Sequence, residues 1–193
     1  MKHRIFLAIN LPKNVKDKLS EYEIKFSELP CRWTRKANLH ITLVFLGYIT
    51  DEELLEICKI TKETVSKHEL FSINLTKIIY GPPGKPSRMI WAEGEKSEQL
   101  GKLQRDLQNS LGGLPVGEKE EKGRAYAPHI TLGRLKQWEF RRMEPEERPE
   151  VNEEISPPVG GLSFEVGSIE IMESQLKRGG PEYMVLESAP LKL

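Results

Sequence analysis

The sequence predicts an α+β fold in which one chain forms two similar lobes. Strand-like segments alternate with amphipathic helices along all 193 residues. The tetrapeptide His-Ile-Thr-Leu occurs twice, at 40–43 and at 129–132, so the two copies lie 129 − 40 = 89 residues apart. No low-complexity segment or linker separates them. A weak internal duplication within a single domain, residues 1–193, accounts for all three observations.

The first third of the chain reads as strand, helix, strand, strand. The apolar run IFLAIN predicts a strand at about 3–9. Pro12 suits the first turn of the following helix, and Pro30 ends it. CRWT, 31–34, is a short strand, and NLHITLVFLG is a longer one. Strict alternation in that strand places one set of side chains opposite the other: Leu39, Ile41, Leu43 and Phe45 against His40, Thr42, Val44 and Leu46.

The middle of the chain repeats the alternation of helices and strands. Thr50 and Glu53 form a capping box before a helix at roughly 51–67. Residues 70–80 and 88–95 predict two antiparallel strands around the turn GPPGKPS. Ser97 caps the next helix, in which leucines recur with helical spacing until Gly112 stops it.

The last third begins with a charged loop, 117–124, followed by the strand YAPHITLGRL. The polar and acidic stretch 137–161 predicts a mobile excursion with one helical turn. Residues 162–174 predict a single strand of alternating character, and 183–188 predict the last strand.

Composition excludes several classes of protein. Lys plus Arg and Asp plus Glu number 29 each, so the net charge is zero, which argues against a general nucleic-acid coat. Two cysteines without CxxC spacing support neither a disulfide framework nor a zinc site. The N-terminal apolar run is too short for a signal peptide or a membrane span. We therefore expect a soluble, cytoplasmic protein.

The repeated His-x-Thr pattern is the element that can perform chemistry. Side chains two apart on a strand point the same way, so each copy presents an imidazole and a hydroxyl together. Two facing copies would flank a phosphodiester, with one imidazole as base, the other as acid and the hydroxyls on non-bridging oxygens. No metal or cofactor is needed, since protein groups supply both acid and base. A single His-x-Thr pattern is usually structural. The alternative to one shared site is a duplication in which only one of the two motifs is still active.

Several separated segments resemble one family. The two HITL motifs, the opening IFLAINLP, the segment from Trp33 through NLHITLVFLG, RMIWA, PHITLGR and SQLKRGGPEY stand in that family's order. The chain resembles the RNA 2′,3′-cyclic phosphodiesterases, also called 2′-5′ RNA ligases, of the two-histidine phosphoesterase superfamily.

The resemblance implies a fold and an activity. The fold would be two similar α+β lobes, each with an antiparallel sheet and flanking helices, with a cleft between them. Family members hydrolyse terminal 2′,3′-cyclic phosphates to 2′-phosphomonoesters, and some also make reversible 2′-5′ linkages. By this resemblance His40 is the proton donor, His129 is the proton acceptor, and Thr42 and Thr131 bind phosphate. The partner would be an RNA end, such as a tRNA-like fragment, bound by a monomer without an obligate protein partner or membrane.

Other candidate residues have two interpretations each. Arg134 would face away from His129 on a regular strand, so it reaches substrate only if the strand bulges, and a surface salt bridge is the alternative. Trp33 and Tyr183 could stack on a base, although core packing is the more frequent role. Trp91 lies among apolar residues, which favours the core.

Two further functions stay open. One is a phosphodiesterase acting on small cyclic nucleotides or on 2′-5′ oligoadenylate. The other is a non-catalytic module that binds RNA ends, against which the presence of two proton-transfer groups argues. A metallohydrolase is disfavoured because neither motif brings an acidic ligand at metal spacing.

Overall fold

The computed structural model describes residues 2–84, 86–114, 126–155, 162–178 and 180–193. The helices are α1 (Lys13–Lys25), α2 (Asp51–Val65), α3 (Glu98–Leu111) and α4 (Gln137–Arg142). The strands are β1 (His3–Asn10), β2 (Cys31–Trp33), β3 (His40–Ile49), β4 (Phe71–Gly81), β5 (Met89–Gly94), β6 (His129–Leu135), β7 (Asn152–Glu154), β8 (Leu162–Val166), β9 (Ser168–Lys177) and β10 (Gly180–Pro190).

The described strands form one ten-stranded sheet whose centre is made by the two HITL strands. The order is β10-β9-β1-β3-β6-β5-β4-β7, with β2 also paired to β6 and β8 to β4. The strands β3 and β6 are antiparallel and meet at a single residue pair, Ile41 and Ile130. The first lobe is therefore β10-β9-β1-β3, and the second lobe is β6-β5-β4-β7 with β2 and β8. This arrangement confirms the predicted two-lobed α+β fold.

Helices cover one face of the sheet and leave the other open. Buried residues of α1, α2 and α3 join one hydrophobic cluster with the inward residues of the central strands, including Ile41 and Ile130. Burying each such aliphatic side chain contributes roughly 1.5–3 kcal/mol. On the opposite side, Phe6, Ala8 and Met172 form a separate small cluster. We call that side, which also carries the motif histidines and threonines, the open face.

The two predicted helix caps are present. The Thr50 hydroxyl accepts from the Glu53 backbone N–H at 3.3 Å, and the Glu53 carboxylate accepts from the Thr50 N–H at 2.7 Å. The Ser97 hydroxyl accepts from the Leu100 N–H at 3.2 Å. Each cap satisfies backbone donors that the first helical turn cannot pair internally, so α2 and α3 begin where the sequence predicts.

The predicted alternation along β3 was wrong after its first four residues. Val44 and Leu46 are buried, whereas Phe45 is 48% exposed. The cause is a bulge at Leu43, which the pairing of β1 with β3 skips. An extra residue reverses the alternation beyond it. Phe45 therefore lies on the open face with His40, rather than in the core.

The predicted strand 162–174 is two strands that serve different lobes. The first, β8, pairs with β4 in the second lobe, and the next, β9, pairs with β1 in the first lobe. They are separated at Gly167, where the chain passes between the lobes. Alternation alone cannot reveal such a change of partner.

The predicted excursion at 137–161 contains regular structure in its described part. It holds α4, a 3-10 turn at Pro145–Glu147 and the edge strand β7 beside β4. Phe140 and Val151 are buried, and the Tyr80 hydroxyl donates to the Pro149 carbonyl at 2.8 Å. These buried side chains and this hydrogen bond therefore fix a segment whose polar composition had predicted mobility. Residues 156–161 and the predicted charged loop 117–124 lie outside the described residues.

Candidate active site

The two motifs meet where the lobes join. Because Ile41 pairs with Ile130 and both point into the core, the residues flanking each isoleucine point to the open face. His40 and His129 are therefore neighbours across the junction of β3 and β6, which we call the seam. They are close enough for the charge of His129 to lower the pKa of His40.

His40 is fixed at both ring nitrogens. Its Nδ1 lies 2.6 Å from the Asn38 carbonyl oxygen, which can only accept, so Nδ1 carries the proton. In this neutral tautomer Nε2 accepts from the Thr42 hydroxyl at 2.9 Å. Asn38 is itself held, because its buried side-chain amide donates to the Pro181 carbonyl at 2.7 Å.

His129 repeats half of this arrangement and adds an aromatic contact. Its Nδ1 donates to the Ala127 carbonyl at 3.1 Å. Its ring stacks on Trp91 with centroids 3.8 Å apart and planes inclined by 23°. The indole can lie there because Gly81 has no side chain, since a Cβ on Gly81 would be 2.3 Å from the indole ring. The stack on the indole fixes the plane of the His129 ring.

Aromatic residues of the first lobe surround His40. Phe6 lies 5.0 Å from its ring centroid, and Tyr183 makes an edge contact at 5.1 Å with planes at 89°. Phe6 and Tyr183 also touch each other at 5.1 Å. Ala8, the strand partner of Thr42, is small and leaves room for the three rings. These contacts fix the imidazole without offering it a carboxylate.

The surroundings lower the pKa of His40 below that of an ordinary histidine. Burial is the main cause, because it disfavours the charged ring. The hydrogen bond to the Asn38 carbonyl acts in the opposite direction, while the charges of Lys16 and His129 lower the pKa further. A phosphate bound between the imidazoles would bring negative charge and favour the protonated ring.

A second bulge brings Arg134 to the open face. The pairing of β5 with β6 skips Leu132, and Leu135 is buried again. Arg134 therefore leaves the core side and joins Thr131 on the face of the site. It is exposed, and its guanidinium contacts the Met89 sulfur at 3.6 Å. Both bulges fall on the leucine of HITL, so Phe45 and Arg134 hold equivalent positions in the two lobes.

Trp33 lies differently from Tyr183. It pairs with Gly133 on β6 and packs against the hydrophobic core. A Cβ on Gly133 would lie 3.2 Å from the Trp33 ring and 2.4 Å from the Cys31 sulfur. Trp33 thus has the core contacts that the sequence left as its alternative role, whereas Tyr183 touches a motif histidine.

No group of three or more His, Cys, Asp or Glu side chains among the described residues is arranged to hold a metal ion. No helix in the described part of the chain is long and apolar enough to cross a membrane.

Comparison with known proteins places this chain in a family. The model of the 2′-5′ RNA ligase superfamily matches residues 15–178. The chain belongs to the 2′-5′ RNA ligase superfamily. An RNA 2′,3′-cyclic phosphodiesterase of Methanocaldococcus jannaschii is 30% identical over 184 residues, covering 95% of this chain and 98% of that one. The protein of that name from Methanothermobacter thermautotrophicus is 29% identical over 195 residues, covering 97% and 98%.

Solved structures agree with the fold of this superfamily member. The crystal structure of TT0787 from Thermus thermophilus has a TM-score of 0.78 at 29% identity and covers 98% of both chains. Escherichia coli LigT complexed with 3′-AMP has a TM-score of 0.75 at 22% identity over 100% of both chains, which supports the shared fold.

Sequence reasoning about this superfamily member missed Trp91. The prediction of a core position was wrong, since the indole is half-buried on the open face against His129. The sequence did hold a signal, because Trp91 alternates along the strand with Ile90 and Ala92. Those two residues are fully buried, so Trp91 lies on the opposite face. The strand's apolar composition concealed that alternation.

Proposed function

We propose that this protein hydrolyses RNA 2′,3′-cyclic phosphodiester ends to 2′-phosphomonoesters, with His40 and His129 as its acid–base pair. The observation that carries the proposal is the equal anchoring of the two imidazoles on one face. Each Nδ1 donates to a backbone carbonyl, which leaves Nε2 as the nitrogen that exchanges protons. The relatives' name, RNA 2′,3′-cyclic phosphodiesterase, supports the choice of substrate.

The chemistry needs one proton removed and one supplied. His129 Nε2 takes a proton from water as the water oxygen bonds to phosphorus. The bond from phosphorus to the ribose 3′-oxygen breaks, and protonated His40 gives that oxygen its proton. The products are a 2′-phosphomonoester and a 3′-hydroxyl. Hydroxyls of Thr42 and Thr131 donate to the non-bridging oxygens, where negative charge develops.

The surrounding residues would bind the rest of the RNA end. We assign the Arg134 guanidinium to RNA phosphate, because the bulge directs it to the face of Thr131. Tyr183 presents its ring beside His40 and is assigned to the terminal nucleoside. Trp33 is half-buried, with part of its ring packed against the core. We assign the exposed part of the ring to base stacking.

The same geometry also allows 2′-5′ ligation. If a ribose 5′-hydroxyl replaces water, His129 removes its proton and the product is a 2′-5′ phosphodiester. Hydrolysis of small cyclic nucleotides or of 2′-5′ oligoadenylate is the second candidate, since these substrates share the same reacting bonds. A non-catalytic module that binds RNA ends is a third, and two anchored imidazoles argue against it.

We also propose that residues 1–193 act as one domain, as a cytoplasmic monomer without an obligate protein partner and without a resident metal. The order of the strands supports the single domain. The chain first enters the second lobe with β2 and returns to the first with β3. It enters the second lobe again with β4 and returns to the first with β9 and β10. Because the first lobe is built from both ends of the described chain, neither lobe is a separable stretch of sequence.

The test is hydrolysis of a short oligoribonucleotide ending in a 2′,3′-cyclic phosphate, in the presence of EDTA. We expect a 2′-phosphate product from the wild type and from a His68→Ala control, whose histidine pairs with Asp106. His40→Ala and His129→Ala should form little product. Loss of activity in EDTA, or a 3′-phosphate product, would contradict the proposal. Turnover of small cyclic nucleotides but not of the oligonucleotide would favour the second candidate.

A further inference from the structure

We infer that Tyr126 is a positioning residue, which sets the spacing of the two histidine motifs by donating a hydrogen bond across the seam to the backbone of Thr42. The inference rests on the proposed function, because the motifs need a fixed spacing only if they act on one phosphate. The Tyr126 hydroxyl binds a carbonyl oxygen, so it acts through the strand that carries His40 and Thr42.

The backbone ladder across the seam is short. In the described part of the chain, β3 pairs with β6 at Ile41 and Ile130 alone, whereas it pairs with β1 from one end to the other. The reason is that β2 occupies the same edge of β6 further along, at residues 133–135. One residue pair fixes the distance between two strands at a single point, so their relative tilt depends on other contacts.

Tyr126 supplies such a contact. Its hydroxyl donates to the Thr42 carbonyl oxygen at 2.6 Å, which is within the usual range for an O–H···O hydrogen bond. Tyr126 leads into β6, whereas Thr42 lies on β3, so the bond joins the two lobes. The tyrosine ring is half-buried and packs against the hydrophobic core, which fixes the direction of its hydroxyl.

Both ends of this hydrogen bond belong to the active site. Tyr126 directly precedes Ala127, whose carbonyl oxygen accepts from His129 Nδ1 at 3.1 Å. At the other end, the Thr42 hydroxyl donates to His40 Nε2 at 2.9 Å. The bond therefore ties the backbone that anchors one imidazole to the residue that contacts the other. A change in its length would change the separation of the two histidines.

A second contact between the lobes lies beside the first. Gln104 of α3, the helix that connects β5 to β6, is buried, and its Nε2 donates to the Leu43 carbonyl oxygen at 3.4 Å. Leu43 is the bulge residue of β3, and a bulge leaves backbone groups without partners in the ladder. Side chains from the second lobe thus bind two consecutive carbonyls of β3. The Tyr126 bond is the shorter of the two, so Tyr126 is the residue to test.

The experiment removes only the hydroxyl. Tyr126→Phe keeps the ring in the core but releases the link between the motifs, and its kinetics are measured on the cyclic-phosphate oligonucleotide. Because small misplacements of reacting groups can cost about 10²-fold, we expect kcat to fall by about 10- to 100-fold. KM should change by less than about threefold, since the groups that bind phosphate are still present.

Tyr80→Phe is the matched control. The Tyr80 hydroxyl also donates to a backbone carbonyl, that of Pro149 at 2.8 Å, and Tyr80 is likewise half-buried. Each variant loses one hydrogen bond of the same kind, so both should unfold about 2–4 °C below the wild type. Measured at a temperature at which both variants are folded, only Tyr126→Phe should lose kcat.

The outcomes separate this inference from the proposed function. Wild-type kcat in Tyr126→Phe, or an equal loss of kcat in Tyr80→Phe, would overturn the positioning role and leave the proposed function standing. A raised KM at unchanged kcat would show that Tyr126 serves substrate binding instead, and would overturn the inference as well. A wild type that does not turn over the oligonucleotide would overturn the proposed function itself.

Discussion

His40 and His129 are held by the same local hydrogen bond. In each, Nδ1 donates to the backbone carbonyl two residues earlier, Asn38 at 2.6 Å and Ala127 at 3.1 Å. Such a bond fixes both the tautomer and the plane of the ring. Because the strands that carry them pair at Ile41 and Ile130, the two copies of one design face the same site.

Removing either imidazole should slow hydrolysis strongly. We expect His40→Ala and His129→Ala each to lower kcat by about 10²- to 10⁴-fold, as for one acid–base group. Thr42→Ala and Thr131→Ala should cost less, since a threonine donates hydrogen bonds but transfers no proton in the reaction. Steady-state kinetics on the cyclic-phosphate oligonucleotide measures all four. Full activity in either histidine variant would contradict the assignment.

Most of the fold could be predicted from the sequence, because the patterns that indicate helices and strands are local. The capping box of α2 and the leucine spacing of α3 depend on neighbours within a few residues, and both are present. The repeated HITL likewise located the strands that form the seam. Periodicity could not show the bulges at Leu43 and Leu132, because an inserted residue depends on the partner strand.

The unpredicted parts of the site are contacts between distant segments. The stack of Trp91 on His129 requires the space left by Gly81, and no pattern within one strand encodes that space. The change of sheet partner at Gly167 is equally invisible to alternation. The position of Arg134 could be predicted in part. The sequence analysis placed it at the site only if the strand bulges, and β6 has that bulge.

The space at Gly81 gives a test of the Trp91 stack. Gly81→Ala would place a Cβ 2.3 Å from the indole and displace it from His129. Small misplacements of catalytic groups can cost about 10²-fold, so we expect kcat to fall by about 10- to 100-fold. The matched control is Gly113→Ala, where a Cβ meets nothing within 4 Å. Wild-type kcat in a folded Gly81→Ala protein would show that the stack does not position His129.

The pH–rate profile should be bell-shaped, with limbs that belong to the coupled pair of histidines. Because burial lowers the pKa of His40, at least one limb of kcat/KM should lie below pH 6.5. That limb should move upward in kcat, since bound phosphate favours protonated His40. A profile with a single rising limb would instead indicate hydroxide or a metal-bound water as the nucleophile.

His3 should make stability depend on pH in the opposite sense to an acid-labile carboxylate. Its hydrogen bonds to Glu173, at 2.6 Å, and to Asp51, at 2.9 Å, raise its pKa above 6.5. The folded state therefore holds the proton more tightly than the unfolded state. The stabilisation is complete below pH 6.5 and is lost as pH rises through the raised folded-state pKa.

Thermal unfolding of His3→Gln measures this contribution. We expect the variant to unfold at a lower temperature than the wild type at pH 5.5, with the difference shrinking as pH rises toward 9. Glu173→Gln should weaken the same dependence, because it removes the larger of the two causes. A difference that stays constant over this range would exclude titration of His3 as its origin.

The most direct test of one shared site is the double variant His40→Ala/His129→Ala compared with each single variant. Groups that act on one transition state are not additive, so the double variant should be slower than the slower single variant by less than about tenfold. Its kcat on the cyclic-phosphate oligonucleotide is the quantity to measure. Losses that multiply, or a double variant that matches one single variant while the other retains full activity, would show that the two motifs do not act together on one phosphate.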